Sequence, residues 1–314
     1  MSRWYRRSGG NKGCAGRPGC GCMSLLFIFL LVVSLLSSIE FPELNFGSLK
    51  TVNYVIDMDS LSTERFISAS YSWKFVDNGL GKRRIHLKFK LLSREVKKAM
   101  QLIDEIGNMT LEELGLNPRL NYDDPEIQAK FIWSKIYRIV YSKSYQQMET
   151  IFKGFSNIFK KEKMNNTDRV SFVVTFVQNI KYERPGGTLD LLAPLGTLAK
   201  KFGDCDSKSI LLYVILERMG IDCAMMWSHY YKHAMLGIWI SGNGSYKILN
   251  GKKYYFLETT SPGWNIGELP PDFRNKRYWY IDEIDKTPGT QNNKYKSNRR
   301  KNRSNKRAKP SPAN

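Results

Sequence analysis

The stretch "KKFGDCDSKSILLYVILERMG", Lys200 to Gly220, sets a cysteine between two aspartates, directly after a glycine and ahead of an almost wholly apolar run. Gly203 permits a tight turn, and Asp204 can accept backbone N–H bonds at a helix start. Cys205 then falls in the first turn, where unpaired N–H groups and the helix dipole are expected to lower a thiol pKa. From Ile210 to Leu216 only Tyr213 carries a polar atom, which predicts a central buried helix ended by Gly220. A thiol held on such a rigid element is a candidate nucleophile. Cys223, in the strand-like "IDCAMMW", has the character of an inert core cysteine.

A nucleophile needs a base, and the chain has three histidines. His86 sits among alternating polar residues and reads as a surface side chain. His229 and His233 lie in "SHYYKHAMLGIWI", the first in a polar aromatic loop and the second opening an apolar strand. Glu258 breaks the apolar and aromatic strand of "KKYYFLETTSPGW", and a carboxylate there needs a partner. If the two strands pair antiparallel with Glu258 opposite His233 or Met235, both side chains share a face within ~4.5–8 Å. Ser241 to Lys252, with its "NGS" and "NGK" turns, is then a flap or an extra hairpin. Cys, His and acid in this order suit thiol acyl chemistry, the imidazole taking the thiol proton and the carboxylate fixing the imidazole tautomer.

Upstream, "YSWKFVDNGLGKRRIHLKFKL" alternates on both sides of an Asp77-Asn78-Gly79 turn and predicts a hairpin within a strand region from Thr51 to Leu92. Ser93 is expected to cap a helix with the stripe Val96, Ala99, Met100 and Ile103. A second helix is expected from Asp124-Pro125, its aromatic face packed and its Lys and Arg in water. Residues 153–166, "KGFSNIFKKEKMNN", read as a polar connection. Thr167 should cap the next helix, which buries Val170, Val173, Val174 and Val177 and breaks at Pro185-Gly186-Gly187.

The formal charge of +20 resembles a nucleic-acid signature until its position is considered. Residues 286–314 hold ten Lys/Arg and no acid, and residues 1–22 hold five and no acid, leaving +5 for everything between. The basic tail, 286–314, is expected to be disordered, able to hold an anionic polymer or membrane surface or merely solvated. With no recognisable RNA-binding motif, nucleic acid is not the expected partner. The leader precedes an uncharged run, Met23 to Ile39, followed by Glu40 and Glu43. That charge order predicts a cytoplasmic leader (1–22) with the remainder exported, and the run reads as a single retained transmembrane helix at 23–39 in preference to a cleaved signal. Cys14, Cys20 and Cys22, without a nearby histidine, make a poor zinc site and read as free or acylated thiols. Beyond the span only Cys205 and Cys223 remain, so no disulfide framework is expected. No metal or organic cofactor is implied, because no Cys/His cluster has ligand spacing and no glycine-rich phosphate loop follows a strand.

"TLAKKFGDCDSKSILLYVILERMGIDCAMM", "HAMLGIWI" and "KKYYFLETTSPGWNIGELP" together resemble the core of the bacterial and archaeal transglutaminase-like cysteine peptidases, within the papain-like superfamily. "FVVTFVQNIKY" resembles the helix preceding that core. "YSWKF" to "LIDEIG" resembles the region ahead of it in membrane-anchored members. The resemblance implies an α+β fold in which a Cys-bearing helix packs on an antiparallel sheet, with a catalytic domain at 167–285 behind an N-terminal hairpin and helical region at 40–166. It also implies Cys205 as nucleophile, His233 as base and Glu258 as orienting acid, acting on a peptide, protein or cell-wall amide, with hydrolysis favoured over cross-linking. Gln178 is a candidate second oxyanion donor beside the Cys205 backbone N–H. The chain departs from the family at Glu258, where Asp is commoner, and at Ser207, where an acid is common. The competing expectation is a catalytically silent tethered module that binds a partner through its clefts or its tail.

Overall fold

The computed structural model describes residues 49–58, 64–77, 81–117 and 125–284. The expected leader, the 23–39 span, the Asn78-Gly79 turn and the basic tail lie outside them. Among the described residues no helix is long and apolar enough to cross a membrane.

The predicted hairpin is present as β2 (Phe66–Asp77) and β3 (Gly81–Leu92), paired antiparallel. Its alternation buries Trp73 and Phe75 on one strand and Ile85, Leu87, Phe89 and Leu91 on the other. A third strand, β1 (Lys50–Asp57), pairs parallel with β3, so the sheet order is β1-β3-β2. Helix α1 (Ser93–Gly107) buries Val96, Ala99 and Ile103 as the stripe predicts. Ser93 is its first residue rather than its cap, since Leu92 holds the cap position and no side chain bonds there. Helix α2 (Pro125–Gln147) begins with its proline.

Residues 153–166 are not a polar connection. Helix α3 (Glu149–Lys161) runs through them and buries Ile151, Phe155, Ile158 and Phe159, because the apolar positions recur at helical spacing between the lysines. Gly154 is needed for closeness, since a Cβ there would lie 2.5 Å from Ile56 Cγ2 of β1. The next helix, α4 (Asn166–Gln178), starts earlier than expected: Asn165, not Thr167, caps it by accepting the Asp168 N–H at 2.9 Å.

Two short pairing strands, β4 (Lys181–Tyr182) and β5 (Phe202–Gly203), flank α5 (Pro194–Lys200). Helix α6 (Cys205–Arg218) follows, buried along nearly its whole length. It packs on β6 (Cys223–Ser228) and β7 (His233–Ile238). With β8 (Tyr246–Leu249), β9 (Lys252–Leu257) and β10 (Tyr280–Asp282) these form an antiparallel sheet of order β10-β6-β7-β9-β8. The Ser241–Lys252 segment supplies the extra hairpin. Asn250 and Gly251 at its tip both take positive φ, 52° and 79°, as a two-residue hairpin turn requires.

The fold is therefore α+β, with a buried helix on an antiparallel sheet. The hydrophobic core does not stop at residue 166: Phe172 and Phe176 of α4 pack edge-on or tilted against Trp73, Phe75 and Tyr71 of β2 at 5.1–5.3 Å between centroids. The described residues from Leu49 to Ile284 belong to one unit.

Candidate active site

The start of α6 is built by short side chains in close contact. Gly203 has no positive φ, so its role is not the turn expected from sequence. A Cβ there would lie 2.9 Å from Ser207 Cβ and 3.2 Å from Thr197 Cγ2. Asp204 caps the helix as predicted, its Oδ1 accepting the Ser207 N–H at 2.9 Å and the Ser207 hydroxyl at 2.6 Å. The Ser207 oxygen accepts the Leu192 N–H at 2.8 Å. The Ser207 hydroxyl thus ties the cap to the preceding segment.

Cys205 is 5% exposed and opens onto a cavity of about 340 Å³. Its thiol donates to Asp206 Oδ2 at 3.3 Å, and the Ala234 N–H points at the sulfur. The expected lowering of its pKa is not found. Burial first, then the charges of Asp206 and Asp204, push the thiol well above its ordinary value, and the Ala234 N–H opposes them only in part. Burial of the sulfur and the two carboxylates on its own turn both work against a lowering by the helix dipole. Asp206 also accepts the hydroxyl of buried Tyr137.

His233 and Glu258 meet, Nε2 to Oε2 at 2.9 Å. Continuing the β7–β9 register by one residue sets Glu258 against Met235, one of the two expected pairings, with His233 its diagonal neighbour. Glu258 is 2% exposed, and its Oε1 accepts the Thr259 N–H, the Thr260 N–H and the Thr260 hydroxyl at 2.7–2.9 Å. Burial alone would raise its pKa. The bond and charge of His233, with the Thr260 bonds, outweigh that and hold the carboxyl below its usual value. An ionised carboxylate only accepts, so Nε2 carries the imidazole proton and Nδ1 is left as the basic nitrogen. The ring stacks on Phe273 at 4.7 Å and meets the edge of Trp279 at 6.1 Å. Cys205 and His233 line the same cavity. No hydrogen bond joins them among the described residues.

Gln178 does not reach this cavity. It is buried, and its Nε2 donates to the carbonyls of Glu258 at 2.9 Å and Trp264 at 3.0 Å. Both amide hydrogens are committed, so it is withdrawn as an oxyanion donor. The donor without a partner is instead Trp227, whose buried Nε1 has none among the described residues and whose side chain lines the Cys205 cavity. His86 is exposed, as expected, and exposed His229 lies at the cavity wall.

Lys208, which sequence reading passed over, is wholly buried one turn beyond Cys205. Its Nζ donates to the carbonyls of Gln178, Ile180 and Thr260 at 3.1, 2.7 and 2.8 Å. Burial lowers its pKa to about 8, against the pull of the Glu258 charge. It ties α4 and the loop after β9 to the Cys205 helix. A lysine inside a buried stretch was the available signal. The ligand atoms of Asp204, Cys205 and Asp206 lie within 4.8 Å of one another. Asp204 Oδ1 already accepts from Ser207, and Asp206 accepts from Tyr137 and the thiol.

No known family model matches this chain, and neither does any curated protein.

Proposed function

We propose that the protein is a papain-like, transglutaminase-like thiol enzyme that attacks an amide through a Cys205 acyl-enzyme. The observation that carries the reading is the oriented His233–Glu258 pair on the wall of the cavity that holds Cys205. In the first step the thiol proton passes to His233 Nδ1 and the sulfur adds to the amide carbonyl carbon. Collapse of the tetrahedral adduct expels the amine, which takes the proton back from the imidazolium, and leaves a thioester. Water then releases the acid, so hydrolysis is favoured; an amine in its place would cross-link. Glu258 stays ionised throughout and stabilises the imidazolium. The absence of a Cys205–His233 bond is compatible with this order, because catalytic hydrogen bonds are often long before substrate binds. In the cell we place the enzyme on the exported side of a membrane, held by the 23–39 span, with a peptide, protein or cell-wall amide as substrate.

The raised thiol and its bond to Asp206 favour a second reading, a catalytically silent tethered module that keeps the fold and holds a partner. Acyl trapping separates the two. The full chain is incubated with a library of acylated peptide amides, and adducts are mapped by mass spectrometry. The enzyme reading expects a thioester on Cys205, lost in Cys205→Ala and His233→Ala. A folded wild type that yields neither adduct nor product would favour the silent module.

A further inference from the structure

A second cavity, of about 520 Å³, lies along α4 and shares no lining residue with the Cys205 cavity. Its size falls within the ~300–1,000 Å³ of small-molecule sites. Val170, Val174, Ile221, Ile240, Trp264 and Ile266 supply its apolar wall. Among the described residues no charged one lines it, although 25% of the chain is charged. An ion entering would lose hydration and find no counter-charge.

Gln178 gives the cavity one open hydrogen-bond acceptor. The side chain is 2% exposed and lines this cavity. Its Nε2 hydrogens go to Glu258 and Trp264, while its Oε1 accepts no bond from any described residue. The nearby Thr175 hydroxyl cannot serve it, being turned back onto the Ser171 and Phe172 carbonyls at 2.8 and 3.2 Å. Solvent reaches Oε1 in the cavity wall, so the donor of a ligand entering the cavity would take the place of water there. We infer that this cavity is a binding site for an uncharged, largely apolar small molecule that offers one hydrogen-bond donor to Gln178 Oε1. The inference does not depend on the chemistry of Cys205.

The test is photolabelling of the full chain with 4-[3-(trifluoromethyl)diazirin-3-yl]benzyl alcohol, which is uncharged, mostly apolar and carries one O–H. The corresponding benzoic acid has the same body with a charge. Mass-spectrometric mapping should find saturable adducts in the 170–178 and 264–266 segments, at least about tenfold fewer with the acid, a difference of ~1.4 kcal/mol. Ser171→Phe, which places a ring in the cavity from half-buried Ser171, should remove the adducts to a similar degree. Should Ser171→Phe fail to melt cooperatively, Ser241→Asp adds a charge at the exposed rim and should lower the labelling in its place. Adducts equal from alcohol and acid, or unchanged in the folded variants, or scattered without saturation, would overturn the assignment.

Discussion

Replacing Asp206 by Asn should make Cys205 more reactive, the opposite of what loss of an active-site carboxylate usually does. The Asp206 oxygen sits 3.3 Å from the sulfur and accepts its proton. Once the thiol ionises, two negative charges face each other at that distance. Their Coulomb repulsion is about 1.3 kcal/mol at the dielectric of water and about 5 kcal/mol at an effective dielectric of ~20. At ~1.4 kcal/mol per pH unit the substitution should lower the thiol pKa by about 1 to 4 units. Asp206 is only half-buried, so solvent screening draws the result toward the lower end. Asn keeps an oxygen for the Tyr137 hydroxyl, so the packing should survive. The assay is the pH dependence of iodoacetamide alkylation on the full chain. It is read on the Cys205 peptide by mass spectrometry, because the chain has five cysteines. The midpoint should move down by at least about one unit. A midpoint that stays put or rises would show that Asp206 does not control the thiol.

Glu258→Gln should leave Cys205 alkylation intact but slow acyl-enzyme formation about a hundredfold or more, because the imidazolium loses its counter-charge; unchanged formation would remove Glu258 from the mechanism. Lys208→Met strips the donor from two buried carbonyls and a part-buried one, a buried carbonyl costing ~1–3 kcal/mol when unmet, so urea unfolding should show a loss of at least about 2 kcal/mol. A loss below ~1 kcal/mol would mean that water takes the place of Nζ. Asp204 is held above the ordinary carboxylate range, by burial first and then by the Asp206 charge. A carboxyl raised on folding contributes stability below its unfolded pKa of ~4, and that contribution fades as pH rises through the folded value. Asp204→Asn keeps the cap, so its melting temperature should fall less than that of wild type as pH rises from ~4 to ~8. An equal slope would place the penalty elsewhere.

Local physics accounts for what could be read before folding. The β2–β3 hairpin, the stripe of α1, the apolar Ile210–Leu216 run of α6 and the Asp204 cap each depend on residues within a few positions of one another. The same holds for the β8–β9 turn. Where local reading went astray, a distant partner was deciding. Residues 153–166 carry enough lysine to look like a connection, yet Phe155 and Phe159 pack against Phe172, and Gly154 admits Ile56. The alternation of β1 is visible in the chain, but its parallel pairing with β3 is not, since parallel strands meet only through a long excursion.

The site divides in the same way. Sequence by itself determined which residues could carry thiol chemistry: one cysteine at a helix start, one histidine opening a strand and one carboxylate in an apolar strand. Tertiary structure alone decided the register that brings Glu258 to His233 Nε2 and the commitment of Gln178 to two carbonyls. It also decided the position of Lys208 behind the loop after β9 and the sign of the Cys205 shift. The reason is that helix-dipole and capping effects act within one turn and are written in adjacent residues. Burial depends on what the rest of the chain packs around the sulfur, and here it adds to the charges of the two adjacent aspartates to push the thiol up.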